Sequence, residues 1–351
     1  MKEKKKILIC PLDWGLGHAT RCIPIIQELL KRGCDVQIAS SSEALTLLKT
    51  EFPDLIFYNL TGYRPRYSTS TSLILPLALQ MPKFVRAIRA EHKEVETIIR
   101  QNGISLVISD NRFGCWSSKI PCVMITHQLQ IKLPKWLSGI VNAANRHHIK
   151  KFTTCWVPDW EGSSSLSREL SADPGFPVTY IGPLSRFHKI EGIKKKYEVV
   201  AILSGPEPQR TIFEEIVRKE LKKSEKHALL IRGLPALIER KKDGNLEEVT
   251  HLNSGELNQV ILEAEIIVSR PGYSTIMDLA KLGMRALFIP TPGQTEQEYL
   301  GRELMKKGIA YQVAQDHFDL EEALGQAQHY TGFKMQDANE LLLTALNKSG
   351  L

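Results

Sequence analysis

The chain has 351 residues, 42% of them hydrophobic and 24% charged, with a net charge of +7. That length exceeds one ordinary hydrophobic core and suits two, and the composition excludes a disordered or low-complexity protein. No apolar run approaches the ~20 residues of a membrane span, and Ile7–Cys10 behind the basic start is too short for a signal-peptide core. A cytoplasmic protein is expected. The positive charge and a pI near 9.0 suit an anionic partner: a nucleotide, a phospholipid surface or a nucleic acid. No RNA-binding motif or zinc finger is present, so nucleic acid is set aside. The six cysteines form no Cys-x-x-Cys pair and read as buried thiols, and the ten histidines form no HExxH pattern. Neither a metal nor another cofactor is expected.

In chain order, Lys6–Cys10 reads as a strand and Thr20–Lys31 as a helix, with Ile23, Ile26, Leu29 and Leu30 at helical spacing and Gly33 as its cap. Asp35–Ala39 reads as a strand, Glu43–Lys49 as a short helix and Leu55–Leu60 as a third strand. Phe84–Gln101 is expected to be helical, and Leu106–Ser109 and Cys122–Thr126 extended. This βαβ rhythm means a parallel sheet covered by helices. Gly182–Lys196, with its lysine triplet, reads as a linker. The rhythm then restarts: strands at Val199–Leu203, Ala228–Ile231, Glu265–Val268 and Ala286–Ile289, and a helix at Thr211–Lys222. Two doubly wound domains are expected, 1–183 and 184–336, with a last helix near Asp337–Asn347 (residues 337–351) returning to the first domain.

Three loops follow strand ends, where such sheets bind ligands. Asp13-Trp14-Gly15-Leu16-Gly17-His18 allows a tight turn, a close backbone approach to a ligand and a helix start that attracts anions. It is not GxGxxG, so a dinucleotide site is disfavoured. Ser204-Gly205-Pro206-Glu207-Pro208-Gln209-Arg210 could meet a pyrophosphate, with Arg210 pairing it; an ordinary proline-shaped loop is the plainer reading. The densest block is Ser269-Arg270-Pro271-Gly272-Tyr273-Ser274-Thr275, then Asp278, Gly283, Pro290 and Gly293-Gln294-Thr295-Glu296-Gln297. Backbone N–H groups and hydroxyls at Gly272–Thr275 suit phosphate. Asp278 could accept two ribose hydroxyls, and Glu296 and Gln297 could reach a sugar. Each of these acidic residues also suits a helix start by charge alone.

The ordered set Ser269-Arg270-x-Gly272, Asp278, Gly283, Pro290 and Gln297 resembles the donor-binding signature of the family 28 type of GT-B glycosyltransferases, and within it the MurG-type UDP-N-acetylglucosamine transferases. The resemblance covers nearly the whole chain in order. It implies the GT-B fold, two doubly wound parallel-sheet (Rossmann-like) domains facing a cleft. It also implies a UDP-sugar donor carrying a GlcNAc-like sugar. By the same resemblance Gly17 and Gly272–Thr275 hold the donor, Asp278 takes the ribose where the family usually has Glu, Gln297 meets the sugar, and the loop at Leu252-Asn253 faces the base. Glu298 and Gly301 stand where the family has Gln and Asn, which leaves the sugar identity open; the first turn departs more, so the acceptor is expected to differ from the peptidoglycan precursor.

Transfer to a hydroxyl needs a base and help for the departing diphosphate. His18 is the expected base. Asp110 is the expected orienting carboxylate, with Asp13 second, and a plain strand-end role for Asp110 stays open. Asp13 and His127 are candidate acceptor contacts, His127 equally a satisfied loop histidine. No Asp-x-Asp motif occurs, which implies no bound metal. The apolar stretch Leu73–Leu79 with Lys83, Arg86 and Arg89, and the basic-aromatic Lys132, Lys135 and Trp136, read either as ordinary core with solvated charge or as a peripheral contact with an anionic membrane at its inner face. A nucleotide-sugar hydrolase and a non-catalytic nucleotide-sugar-binding protein are the rival readings; an epimerase lacks its usual catalytic set.

Overall fold

The computed structural model describes residues 4–63, 79–133, 135–172, 175–234, 239–335 and 339–351, with backbone alone at 135 and 136. These fall into two compact units divided at Ser185/Arg186, and the C-terminal segment belongs to the first.

In the first unit the strands are β1 (Lys6–Pro11), β2 (Asp35–Ser40), β3 (Ile56–Asn59), β4 (Leu106–Asp110), β5 (Cys122–Ile125), β6 (Thr154–Val157) and β7 (Thr179–Tyr180). They form one sheet in the order β3-β2-β1-β4-β5-β6-β7, parallel throughout. The helices are α1 (Leu16–Lys31), α2 (Ser42–Glu51), α3 (Met81–Asn102), α4 (Lys135–Ile149) and α10 (Asn339–Lys348). Ile7, Leu8, Ile9 and Cys10 are all fully buried. An unbroken apolar run of this kind is what a central parallel strand covered on both faces requires. The C-terminal α10 is tied to α1 by Arg32, which donates to Asn347 at 2.7 Å and to the Leu351 carbonyl at 2.8 Å.

The second unit has β8 (Tyr197–Ile202), β9 (Ala228–Ile231), β10 (Arg240–Asp243), β11 (Leu246–Val249), β12 (Ala264–Ser269), β13 (Ala286–Phe288) and β14 (Tyr311–Gln312). Their order is β10-β11-β9-β8-β12-β13-β14. The helices are α5 (Gln209–Lys223), α6 (Ser254–Glu263), α7 (Tyr273–Leu282), α8 (Thr295–Lys306) and α9 (Leu320–Ala327). The β10–β11 pair is antiparallel and carries no strand expectation from the sequence, because Arg-Lys-Lys-Asp has almost no β propensity. All four β10 residues are exposed, and a charged edge of this kind discourages pairing with another chain.

Most expected elements agree within one or two residues, although β6, β7 and β14 carry no strand expectation either and α3 begins at Met81 rather than Phe84. The largest shift is in α1, which begins at Leu16 rather than Thr20. Gly15 makes this possible: at φ 86° and ψ 164° it takes a backbone region open to glycine, and the helix starts at once. His18 therefore sits in the first turn of a helix and not in a loop.

Candidate active site

Parallel pairing sets the first unit's site level. Pro11 of β1 is in register with Asp110 of β4, and Asp110 with Ile125 of β5. The residues just past these ends, Leu12–Asp13, Asn111 and Thr126–His127, therefore emerge side by side at the carboxyl edge. Asn111 holds a left-handed conformation, φ 57°, which asparagine tolerates better than most residues.

His18, Arg21 and Cys22 stand at i, i+3 and i+4 on α1, one face of a helix, and all three converge on Asp110. Its carboxylate is fully buried. Arg21 grips both oxygens through Nε and Nη2. His18 Nδ1 lies 2.9 Å from Asp110 Oδ1, and Cys22 donates its thiol to Oδ2 at 3.7 Å. His18 Nδ1 is also 2.9 Å from Arg21 Nη2, so the position of the ring proton decides which neighbour it bonds. Burial alone would raise the Asp110 carboxyl, but Arg21 and His18 outweigh it and bring it down to about 2. Burial, then the Arg21 charge, holds the His18 imidazole below its ordinary 6.5 against the opposing pull of Asp110. His18 keeps 16% side-chain exposure, and its Nε2 has no partner among the described residues.

Two neighbouring networks hold these strand ends. Glu91 of α3 and Arg112 are both fully buried and paired. Glu91 accepts further bonds from Tyr63 at 3.0 Å and the Gly114 N–H at 2.8 Å. Behind β6, buried Asp159 accepts from the backbone of Trp160, Leu166 and Ser167 and from the hydroxyls of Ser165 and Ser167. That loop in turn receives Leu129 and Gln130 N–H groups on the Leu170 carbonyl, bracing the segment that carries His127.

His127 is 4% exposed and its Nδ1 lies 3.4 Å from Arg21 Nη1. The expected acceptor contact is thus corrected: this ring packs behind Arg21, away from solvent. Asp13 is half-buried, and its Oδ1 is a buried oxygen with no hydrogen-bond partner. Beside it, Trp14 and Tyr63 lie 5.8 and 6.3 Å from the Phe84 ring. Past them Leu79, Met81 and Val85 are exposed by 76, 53 and 38%. Of the suggested membrane stretch, Leu73–Ala78 and the side chains of Lys135 and Trp136 lie outside the described residues. Among the described residues no helix is long and apolar enough to cross a membrane, and no cluster of three His, Cys, Asp or Glu is placed to hold a metal ion.

The second unit's sequence-marked residues also gather at a sheet's carboxyl edge. Ser204 and Gly205 are exposed in the loop after β8. The chain after β9 supports that loop: Gly233 has φ 70°, and a Cβ there would sit 2.4 Å from the Leu203 carbonyl oxygen. Gly233→Ala is expected to destabilise the unit by at least 1 kcal/mol, combining strain at positive φ with a clash, as read from its urea-unfolding midpoint.

Arg210, expected to pair a pyrophosphate, and Arg270 of the donor signature are both corrected. Arg210 is 8% exposed and bonds Glu207 and Glu214, the Arg232 carbonyl and Thr211. Arg270 is 3% exposed, donates to the Ile289 and Pro290 carbonyls and to Gln315, and stacks 3.9 Å over the Phe213 ring. Both guanidiniums secure loops from behind rather than facing a ligand. A charged residue after a strand looks the same in sequence whether it turns inward or outward. In the loop expected to face the base, the Asn253 side chain caps α6 by accepting from Glu256 N–H at 2.9 Å and Leu252 is buried, so a base there would meet backbone groups.

At the end of β12, Ser269 is buried and its Oγ has no partner. Gly272 starts α7, a helix with no side-chain cap. Tyr273 is buried, while Ser274, Thr275 and Asp278 are half-buried, and the spacing of four and three residues to Asp278 puts them on one face. At α8, Gln294 caps the helix by accepting from Gln297 N–H, and Gln297 Oε1 accepts from Thr291 N–H at 2.8 Å. Gln297 keeps its amide nitrogen without a partner among the described residues; half-buried Glu296 stands next to it. Gly17 lies in the first unit, next to His18 in α1.

Sequence reasoning missed Arg21 and Cys22. The His-x-x-Arg-Cys spacing carries the signal, but only once the helix is started at Leu16.

Comparison with known proteins places these features. Residues 200–342 match the glycosyltransferase family 28 C-terminal domain. An uncharacterised glycosyltransferase of Methanopyrus kandleri is 22% identical over 86% of this chain and 91% of its own length. The UDP-N-acetylglucosamine--N-acetylmuramyl-(pentapeptide) pyrophosphoryl-undecaprenol N-acetylglucosamine transferase of Buchnera aphidicola is 25% identical over 91% of this chain and 87% of its own. Among solved structures, the glycosyltransferase of kitacinnamycin is similar in fold, with a TM-score of 0.65 at 16% identity over 100% of this chain and 98% of that one. The fold is therefore GT-B, and the protein is a glycosyltransferase. Within that class its second unit carries the family 28 C-terminal domain, and the chain as a whole is similar to MurG-type relatives.

Proposed function

We propose that this protein transfers a sugar, GlcNAc-like, from a UDP-sugar to a hydroxyl acceptor with inversion and without a metal ion. The observation that carries the reading is the His18–Asp110 pair, in which a buried ionised carboxylate faces Nδ1 and leaves Nε2 unpartnered. With the ring proton on Nδ1 donated to Asp110, Nε2 is a lone-pair base. It takes the acceptor hydroxyl proton as that oxygen attacks the anomeric carbon. The bond from that carbon to the diphosphate breaks, and the electron pair leaves with the nucleoside diphosphate. In the second unit the uncapped start of α7, with Ser274, Thr275 and the unpartnered Ser269 hydroxyl, suits the departing diphosphate. Asp278 suits the ribose, and the Gln297 amide nitrogen the sugar.

The acceptor reading rests on Asp13 Oδ1, able to receive a hydroxyl, and on the Trp14–Phe84 aromatic pair with exposed Leu79, Met81 and Val85 beyond it. An apolar surface there suits a lipid-linked or cell-envelope glycan acceptor reached by peripheral contact with an anionic membrane. UDP and UDP-sugars are expected to raise the melting point of the protein. Asp278→Ala removes that rise, or raises donor KM by roughly 10–100-fold for a lost pair of charged hydrogen bonds. Turnover persists in EDTA. No shift with any nucleotide overturns the donor assignment; free sugar without glycosylated acceptor replaces transfer by hydrolysis.

A further inference from the structure

We infer that Arg21 is a positioning residue: by occupying both oxygens of the buried Asp110 carboxylate, it sets the orientation and tautomer of the His18 ring. The inference rests on His18 being the base proposed above. The geometry carries it. Arg21 is 2% exposed, so its guanidinium is not available to a ligand at the surface. Its fork bridges Asp110 through Nε and Nη2, while Nη1 reaches to 3.4 Å from His127. One side chain from α1 thereby ties together the ends of β4 and β5, the two strands whose following loops border His18.

Its charge matters as much as its shape. The charged and titratable groups facing the His18 ring are Arg21 on its own helix, Asp110 from β4 and His127 after β5. In an ordinary His–Asp pair the carboxylate stabilises the imidazolium. Here burial, and then the guanidinium against that same carboxylate, outweigh the benefit, and His18 stays neutral to lower pH. Nη2 is also the competitor for Nδ1, at the same 2.9 Å as the Asp110 oxygen. Only while both Arg21 contacts to Asp110 are kept does the carboxylate stay level with Nδ1 to receive its proton.

The test is His18 itself, observed by NMR in the full chain with labelled histidine, so that its outcome does not depend on having found the right donor or acceptor. In the parent protein, His18 is expected as the Nδ1–H tautomer with a midpoint below 6.5. Arg21→Met leaves the carboxylate opposed by burial without the charge, and the His18 midpoint rises above that of the parent. Arg21→Lys keeps the charge without the fork: the midpoint stays near the parent value while the single tautomer gives way to a mixture. The lysine variant covers the case in which the methionine variant does not fold. An unchanged midpoint in folded Arg21→Met, or an unchanged single tautomer in Arg21→Lys, overturns the inference. So does an Nε2–H tautomer in the parent, which means Arg21 donates to Nδ1. If these results hold but no nucleotide sugar is turned over, the positioning stands and the transferase reading of His18 falls.

Discussion

His18→Ala is expected to cut kcat by roughly 10²–10⁴-fold, the usual worth of a positioned general base, with donor binding unchanged. The separation of effects is the informative part. The imidazole belongs to the first unit and makes its contacts with Asp110 and Arg21, whereas the proposed donor residues, Gly17 apart, lie in the second. A nucleoside diphosphate should therefore stabilise the variant as much as the parent. Parallel loss of binding and turnover would mean that His18 holds ligand rather than moving a proton. The acid limb of kcat/KM should fall below pH 6.5 in the parent, because the base works only when neutral and both burial and Arg21 favour that form. Normal turnover of His18→Ala with both substrates saturating would remove the mechanism.

Asp110→Ala is expected to cost about 3–5 kcal/mol of stability, measured by urea unfolding near neutral pH, since it strands the buried Arg21 guanidinium without its counter-charge. Asp110→Asn, which keeps the hydrogen-bonding shape but not the charge, should cost less. The pH dependence has a defined sign. The folded-state carboxyl is depressed to about 2 from 3.8, so its contribution is fully present above about pH 4 and is lost as pH falls towards 2. The difference between parent and Ala variant should narrow across that window and nowhere else. A gap of the same size at pH 2 would show that packing, not charge, is what Asp110 supplies.

Much of this architecture was legible from the chain. Apolar runs such as Ile7–Cys10 and Ala228–Ile231 can only be buried parallel strands, because the period-two polar face of an exposed sheet is missing. The glycine turns after β1 and before α7 mark where helices start, and the Ser269–Gln297 block was recognisable by residue type and order. The pairing of His18 with Asp110, 92 positions apart, followed from placing both at strand ends of one sheet.

What the chain alone could not settle was direction. Arg210 looks in sequence like a cation offered to a phosphate, and Arg270 belongs to the donor signature; in the fold both turn inward, because Glu214 in one case and the Ile289 and Pro290 carbonyls in the other lie behind them. His127 is buried for the same kind of reason: it lies against Arg21, on a segment braced by the loop anchored on Asp159. Arg21 is the converse: unremarkable in the sequence, it is central once α1 starts four residues earlier and its face meets β4. Local sequence determines which segments are strands and helices through periodicity and backbone preference, forces that act within a few residues. Whether a charged side chain faces ligand or core depends on partners far away in the chain, and only the register of the assembled sheet decides that.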